Sequence, residues 1–184
     1  MNQKMRQRRL PRPIIFMTFC LSLLIFGFWA WDLRLNLTSS MPIGIWRLQQ
    51  PVQPNESLRG QVALFCPPDS GIFRRAKERG ILRSGSCEGS FMPLLKEVVG
   101  LPGDVVEYVD GGYSVNGRRV ANSRIQPLDL GFKPAFYSHL VVPDGYVWLM
   151  SSYSAQSFDS RYFGPVERSR IYAYADAILV LTSR

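Results

Sequence analysis

Hydropathy divides the chain into three kinds of sequence. From Ile14 to Trp31 eighteen consecutive residues carry no charge, close to the roughly 20 that a helix rising 1.5 Å per residue needs to cross a bilayer. Beyond Asp32 the pattern changes to short stretches alternating between apolar and polar positions, the period of half-buried strands. Gly44–Gln49, Gln61–Cys66, Leu94–Val99, Val105–Val109, Tyr113–Val115, Arg118–Val120, His139–Val142, Tyr146–Met150 and Ile171–Leu181 are marked in this way. Asn116-Gly117 is a type I′ hairpin signal between the fifth and sixth of them. Residues 67–90 interrupt the series with a polar, Arg-, Ser- and Gly-rich segment that predicts a short helix over Ile72–Arg79, ended by Gly80.

The pattern predicts one mostly β domain, a barrel or sandwich-like sheet system, behind a single transmembrane helix. Asp32–Thr38 reads as a connector, Pro51–Gly60 as a turn-rich loop, and Ala121–Ser138 as a connection without a clear period. At 184 residues one soluble domain is expected beside the span. The boundaries are a basic tail over 1–13, the span over 14–31 and the globular domain over 32–184, with an insertion at about 66–90.

Charge changes the picture at the N-terminus. The formal net charge is +8, but Lys4, Arg6, Arg8, Arg9 and Arg12 place five positive charges in the first thirteen residues, which hold no acid. The remainder is too nearly neutral for a basic nucleic-acid-binding face. A positive flank beside an apolar run is instead the signature of a span whose N-terminus stays cytoplasmic. Trp29 and Trp31 suit the far headgroup region. The run is longer than the ~7–15 residues of a signal-peptide h-region and lacks a small-x-small site at its end, so a retained anchor is expected over a cleaved leader.

Cys20 lies within the span as an apolar filler, whereas Cys66 and Cys87 bracket the polar segment on the exported side, where oxidation is permitted. A Cys66–Cys87 disulfide would close a loop of about 20 residues, worth roughly 3 kcal/mol in the chain-entropy model; two free thiols are the alternative. No Cys/His spacing resembles a zinc site, and no cofactor is expected.

Two features bear on chemistry. Thr38-Ser39-Ser40-Met41-Pro42 follows the anchor closely enough that Ser40 lies within ~32 Å of the membrane interface even if the chain is extended. A serine nucleophile needs a base. His139, the single histidine, has no evident acidic partner and reads as structural. Lys96 fits better: on a strand over Leu94–Val99 it shares a face with Leu94 and Val98 while Glu97 points away, and desolvation in an apolar row lowers a lysine towards neutrality. An edge-strand lysine that discourages aggregation is the other reading. Gln156–Val166 reads as a polar turn, and taken alone Asp159 and Arg161 need be no more than a surface pair worth ~0–1 kcal/mol.

Together Ser40-Met41-Pro42, Leu94-Leu95-Lys96-Glu97-Val98-Val99-Gly100-Leu101-Pro102-Gly103-Asp104 and Ser157-Phe158-Asp159-Ser160-Arg161 resemble the signal peptidase I family, in its conjugative-transfer (TraF-like) branch. The resemblance implies a signal-peptidase-like β fold in which Ser40 is the nucleophile, Lys96 the general base and Asp159 a further important acid. It also implies that Thr38 donates to the oxyanion, that Ser157 orients the Lys96 amine and that Arg161 braces the site with Asp159. Partners implied are a pilin-like or signal-peptide-bearing precursor, the lipid bilayer and the conjugation apparatus, at the bacterial inner membrane with the catalytic domain in the periplasm. Relatives of this branch process a conjugative pilin and can cyclise it. Ser-Met-Pro in place of Ser-Met-x-Pro, and Ser151-Ser152-Tyr153-Ser154 in place of a Gly-Asp-Asn-Arg run, favour this branch over a general signal peptidase. A non-catalytic scaffold is the reading from another class.

Overall fold

The computed structural model describes residues 11–50, 58–126 and 137–181. The basic tail up to Leu10, most of the Pro51–Gly60 loop and the middle of the Ala121–Ser138 connection, with Lys133, lie outside the described residues. The apolar run forms α1, Arg12–Ala30, with Pro13 in its first turn, where a missing N–H costs nothing. None of its residues is buried, and an exposed helix that is apolar on every side fits a membrane anchor.

The connector expected over Asp32–Thr38 is instead mostly a strand. Asp32 turns the chain with a left-handed φ of 51°, and Leu33–Asn36 forms β1, antiparallel to β2, Ile43–Gln49, with Leu35 opposite Ile45. Four alternating residues are too few to mark a strand without the partner that completes its hydrogen bonds. β3 spans Val62–Phe65.

The polar segment departs from the sheet as expected. It contains α2, Gly71–Glu78, and Gly80 follows the capping Arg79 with φ 74°. The Cys66–Cys87 disulfide is formed at its base, and Phe73, Ala76, Leu82 and Phe91 turn inward against Phe158 and Tyr162. Lys77 donates to the carbonyls of Gly89 and Ser90 at 3.1 and 3.0 Å.

β4, Leu94–Gly100, returns the chain to the sheet, followed by β5 (Val105–Val109), β6 (Gly112–Val115), β7 (Arg118–Arg119), β8 (His139–Val141) and β9 (Tyr146–Met150). Asn116 and Gly117 both adopt positive φ, 50° and 75°, as the expected I′ turn requires. A short helix, α3 (Ser160–Phe163), then leads to β10 (Val166–Glu167) and to the eleven-residue β11 (Ile171–Leu181).

The strands make two antiparallel sheets, ordered β1-β2-β11-β3-β4-β9-β10 and β7-β6-β5-β8. β11 holds the larger sheet together by pairing with β2 along its C-terminal part and with β3 along its N-terminal part. β9 joins the two cores: Val147 and Leu149 pack with Ala63, Phe65 and Val98, whereas Trp148 and Met150 pack with Val106, Tyr113 and Val142. Burial on both faces explains why Tyr146–Met150 is a continuous apolar run. His139 does have an acidic partner: β5 and β8 place Glu107 directly opposite it, with Nδ1 and Oε1 3.4 Å apart on an exposed edge. That pair joins positions 32 residues apart, which no local pattern reveals.

Candidate active site

The loop between β1 and β2 carries Ser40, and one side chain organises it. Asn36 Nδ2 donates to the carbonyls of Thr38, Met41 and Pro42 at 3.1, 3.0 and 3.0 Å. Its Oδ1 accepts the Thr38 N–H at 3.1 Å and the Thr38 hydroxyl at 2.7 Å. The Trp46 indole N–H adds a bond to the Pro42 carbonyl at 3.1 Å, and the Met41 side chain is buried with Trp46 and Ala175. From the opposite side the Ser151 hydroxyl donates to the carbonyl of Ser40. Ser40 is thus held through its own backbone and through its neighbours.

Lys96 enters from β4. Its register opposite Ala63 places it on the face of Phe65, Leu94 and Val98, and only 2% of it is exposed. Nζ donates to Ser40 Oγ at 2.9 Å. Burial pushes the lysine from its ordinary 10.5 down to about 8; the Asp159 charge pulls it upward and the Arg161 charge pushes it lower. A neutral amine is consequently accessible near physiological pH, at about one molecule in ten at pH 7. Glu97 faces the other way and accepts from the Ser152 hydroxyl.

Asp159 and Arg161 form an interior pair, not a surface one. Both side chains are fully buried, with Arg161 Nη2 and Nε donating to the two carboxylate oxygens at 2.7 and 2.8 Å. Arg161 also donates to the carbonyls of Asn122, Arg124, Ser154, Ala155 and Ser157. Asp159 caps α3 by accepting the Arg161 N–H at 3.2 Å and also accepts the Ser151 N–H at 3.1 Å. Buried charges are tolerated when paired and hydrogen-bonded to this extent. The pair reaches the Ser40 loop through Ser151, whose hydroxyl also accepts the N–H groups of Tyr153 and Ser154.

Two expected roles fare differently. Ser157 makes no hydrogen bond to the Lys96 amine: its hydroxyl is buried with no hydrogen-bond partner among the described residues. The Thr38 hydroxyl lies 3.3 Å from Ser40 Oγ, but its proton is directed to Asn36, so it donates to an oxyanion only by turning away from that acceptor. The sequence reading missed Asn36 and Ser151. An Asn-x-Thr turn pattern, in which a carboxamide bonds the backbone two residues on, marks the first; Ser151, hydrogen-bonded to backbone N–H groups two and three residues ahead, carries the same kind of local signature.

Ser40 and Lys96 open onto a cleft of about 630 Å³, walled by apolar side chains including Leu37, Leu48, Leu94, Leu95 and Phe158, with Leu82 and Met92 from the insertion and its return. An extended peptide with small or apolar side chains matches such walls, and a hydroxyl beside a part-neutral amine is equipped for acyl transfer. Among the described residues no three His, Cys, Asp or Glu side chains converge to hold a metal.

Fold and site define a protein of the signal peptidase class: residues 9–180 match the family described as signal peptidase, peptidase S26, and the chain belongs to it. Family membership points to a serine peptidase. Its relatives include transfer proteins. The conjugal transfer protein TraF of Agrobacterium fabrum (strain C58 / ATCC 33970) is 41% identical over 143 residues, covering 77% of this chain and 79% of the relative. The plasmid transfer protein TraF of Escherichia coli is 36% identical over 168 residues, covering 89% and 92%. Signal peptidase I V of Bacillus subtilis (strain 168) is 33% identical over 89 residues, covering 42% and 52%. Among solved structures, a signal peptidase I from Enterococcus faecalis V583 aligns with a TM-score of 0.40 at 20% identity, covering 70% of this chain and 98% of that one.

Proposed function

We propose that this protein is a membrane-anchored serine endopeptidase that matures a pilin or another exported precursor for a conjugative type IV secretion system. The observation that carries the proposal is the 2.9 Å contact between Lys96 Nζ and Ser40 Oγ, made by a lysine whose burial depresses it to about 8. In the proposed reaction neutral Lys96 takes the Ser40 proton as Oγ attacks the scissile carbonyl. The protonated amine then passes that proton to the leaving nitrogen, and an acyl-enzyme remains. Water releases a linear product. The N-terminal amine of the same substrate, attacking in place of water, releases a cyclic one. The Asp159–Arg161 pair braces the site, and the backbone N–H of Ser40 receives the developing oxyanion alongside the Thr38 hydroxyl once it turns from Asn36.

The conjugal role is supported by the likeness to transfer proteins over most of both chains. α1 anchors the domain, and the positive charge of residues 1–13 orients the tail to the cytoplasm and residues 32–184 to the periplasm, at the inner membrane. Ser40→Ala and Lys96→Ala, assayed in conjugating cells, are expected to leave the pilin precursor unprocessed while the protein stays folded and membrane-bound; processing at the normal rate in either removes the assignment. Mass spectrometry of the processed pilin separates the two endings, since a cyclic chain is lighter by one water than its linear form. Processing of many unrelated precursors would identify a general signal peptidase instead, and failure of an acylating inhibitor to label Ser40 would leave a scaffold.

A further inference from the structure

The Asn36 carboxamide is held in one orientation by five contacts. Two donors of Thr38 meet Oδ1, and three carbonyls meet Nδ2. The flipped amide would set its NH2 against an N–H and its oxygen against three carbonyl oxygens, so Oδ1 is the acceptor of the Thr38 hydroxyl.

Counting protons then fixes the direction of the whole chain. Thr38 has one hydroxyl proton and gives it to Asn36 at 2.7 Å. In the 3.3 Å contact between Thr38 Oγ1 and Ser40 Oγ, Thr38 is therefore the acceptor and Ser40 the donor. Ser40, its proton engaged, accepts from Lys96 Nζ at 2.9 Å. The bonds run Lys96 to Ser40 to Thr38 to Asn36, all in one sense.

We propose that Asn36 is a positioning residue for the nucleophile and acts through Thr38: by taking the Thr38 proton it turns a Thr38 lone pair towards Ser40 and parks the Ser40 hydroxyl between Thr38 and Lys96. The inference rests on the assignment of Ser40 as nucleophile. When Lys96 loses its proton, the Ser40 hydroxyl gives up its contact to Thr38, the longest in the chain, and turns to Nζ. The proton passes from Oγ to Nζ as the new C–O bond forms.

The test is the rate at which p-nitrophenyl acetate acetylates Ser40 in the detergent-solubilised full chain, followed by p-nitrophenol release and by the mass of the labelled peptide. A small ester makes no use of the substrate cleft, so a change in peptide binding does not enter. Asn36→Ala is expected to slow acetylation about 10- to 100-fold, the scale of a nucleophile displaced by about an ångström. Thr38→Val slows it to a similar degree, the double variant is no slower than the slower single one, and Thr38→Ser stays within about threefold of the unaltered protein. An unaltered rate in Asn36→Ala, or losses that multiply in the double variant, overturns the proposal. Should Asn36→Ala not fold, the isosteric Asn36→Asp keeps an acceptor for both Thr38 donors and must show the same non-additivity with Thr38→Val; losses that multiply there count against the proposal in the same way. Ser40→Ala is the control: undiminished acetylation in that variant refutes Ser40 as the nucleophile, whereas its loss beside an unaltered Asn36→Ala refutes the positioning role alone.

Discussion

Lys96 and Arg161 are two buried cations on neighbouring parts of the site, and their surroundings are opposite. Lys96 is 2% exposed and, among the described residues, makes one hydrogen bond, to a hydroxyl. Arg161 is 0% exposed and spends its guanidinium on a carboxylate and five carbonyls. Burial alone therefore does not decide what a cation does; its partners do. Burial pushes an amine with one neutral partner towards losing its proton, whereas a guanidinium with a full complement of acceptors locks the segments around it.

The largest way to break the comparison is at the lysine. Lys96→Met is expected to lower peptidase activity at least about 10³-fold, and the same loss in Ser40→Ala places both on one step. Next is the charge opposite Arg161: Asp159→Ala leaves a buried guanidinium without its carboxylate, with an expected cost of about 3–5 kcal/mol in chemical denaturation. A loss below 1 kcal/mol would show that the five carbonyls suffice. Third, Lys96→Met is expected to raise stability at pH 7 by roughly 1–3 kcal/mol, the reverse of its effect on activity. The sign follows from the lysine's values of about 8 folded and 10.5 unfolded. Between them the unfolded chain binds more protons, so the unaltered protein gains stability as pH rises through that window and the advantage of Met shrinks. The same titration sharpens the functional side: kcat/KM is expected to rise about tenfold per pH unit below about pH 8 and then level off. The smallest effect belongs to a pair outside this region. His139→Ala breaks the exposed contact to Glu107 and is expected to change stability by less than about 0.5 kcal/mol, with activity unaltered.

Local chemistry made much of this legible beforehand. Lys96 stands on the face shared with Leu94 and Val98 as alternation predicts, and the Asn116-Gly117 hairpin and the Gly80 helix end each depend on residues beside them in the chain. β1 was not legible, because its four residues become a strand only through β2. Ser151 was not legible as a brace, because its contact to the Ser40 carbonyl spans 111 positions. The Ser157 hydroxyl, given an orienting role by motif position, is buried with no hydrogen-bond partner among the described residues.

The sequence by itself determined the apolar helix, the series of short strands, the disulfide-bracketed insertion and an unpaired lysine in an apolar row. These follow from periodicity and residue type, which act between neighbours. Only the tertiary structure decided that Ser40 and Lys96, 56 positions apart, meet at hydrogen-bond distance, and that Asp159 and Arg161 are interior rather than exposed. Each of those depends on strand register across the sheet and on which side of it a loop returns, and a slip of one residue would turn Lys96 to the opposite face.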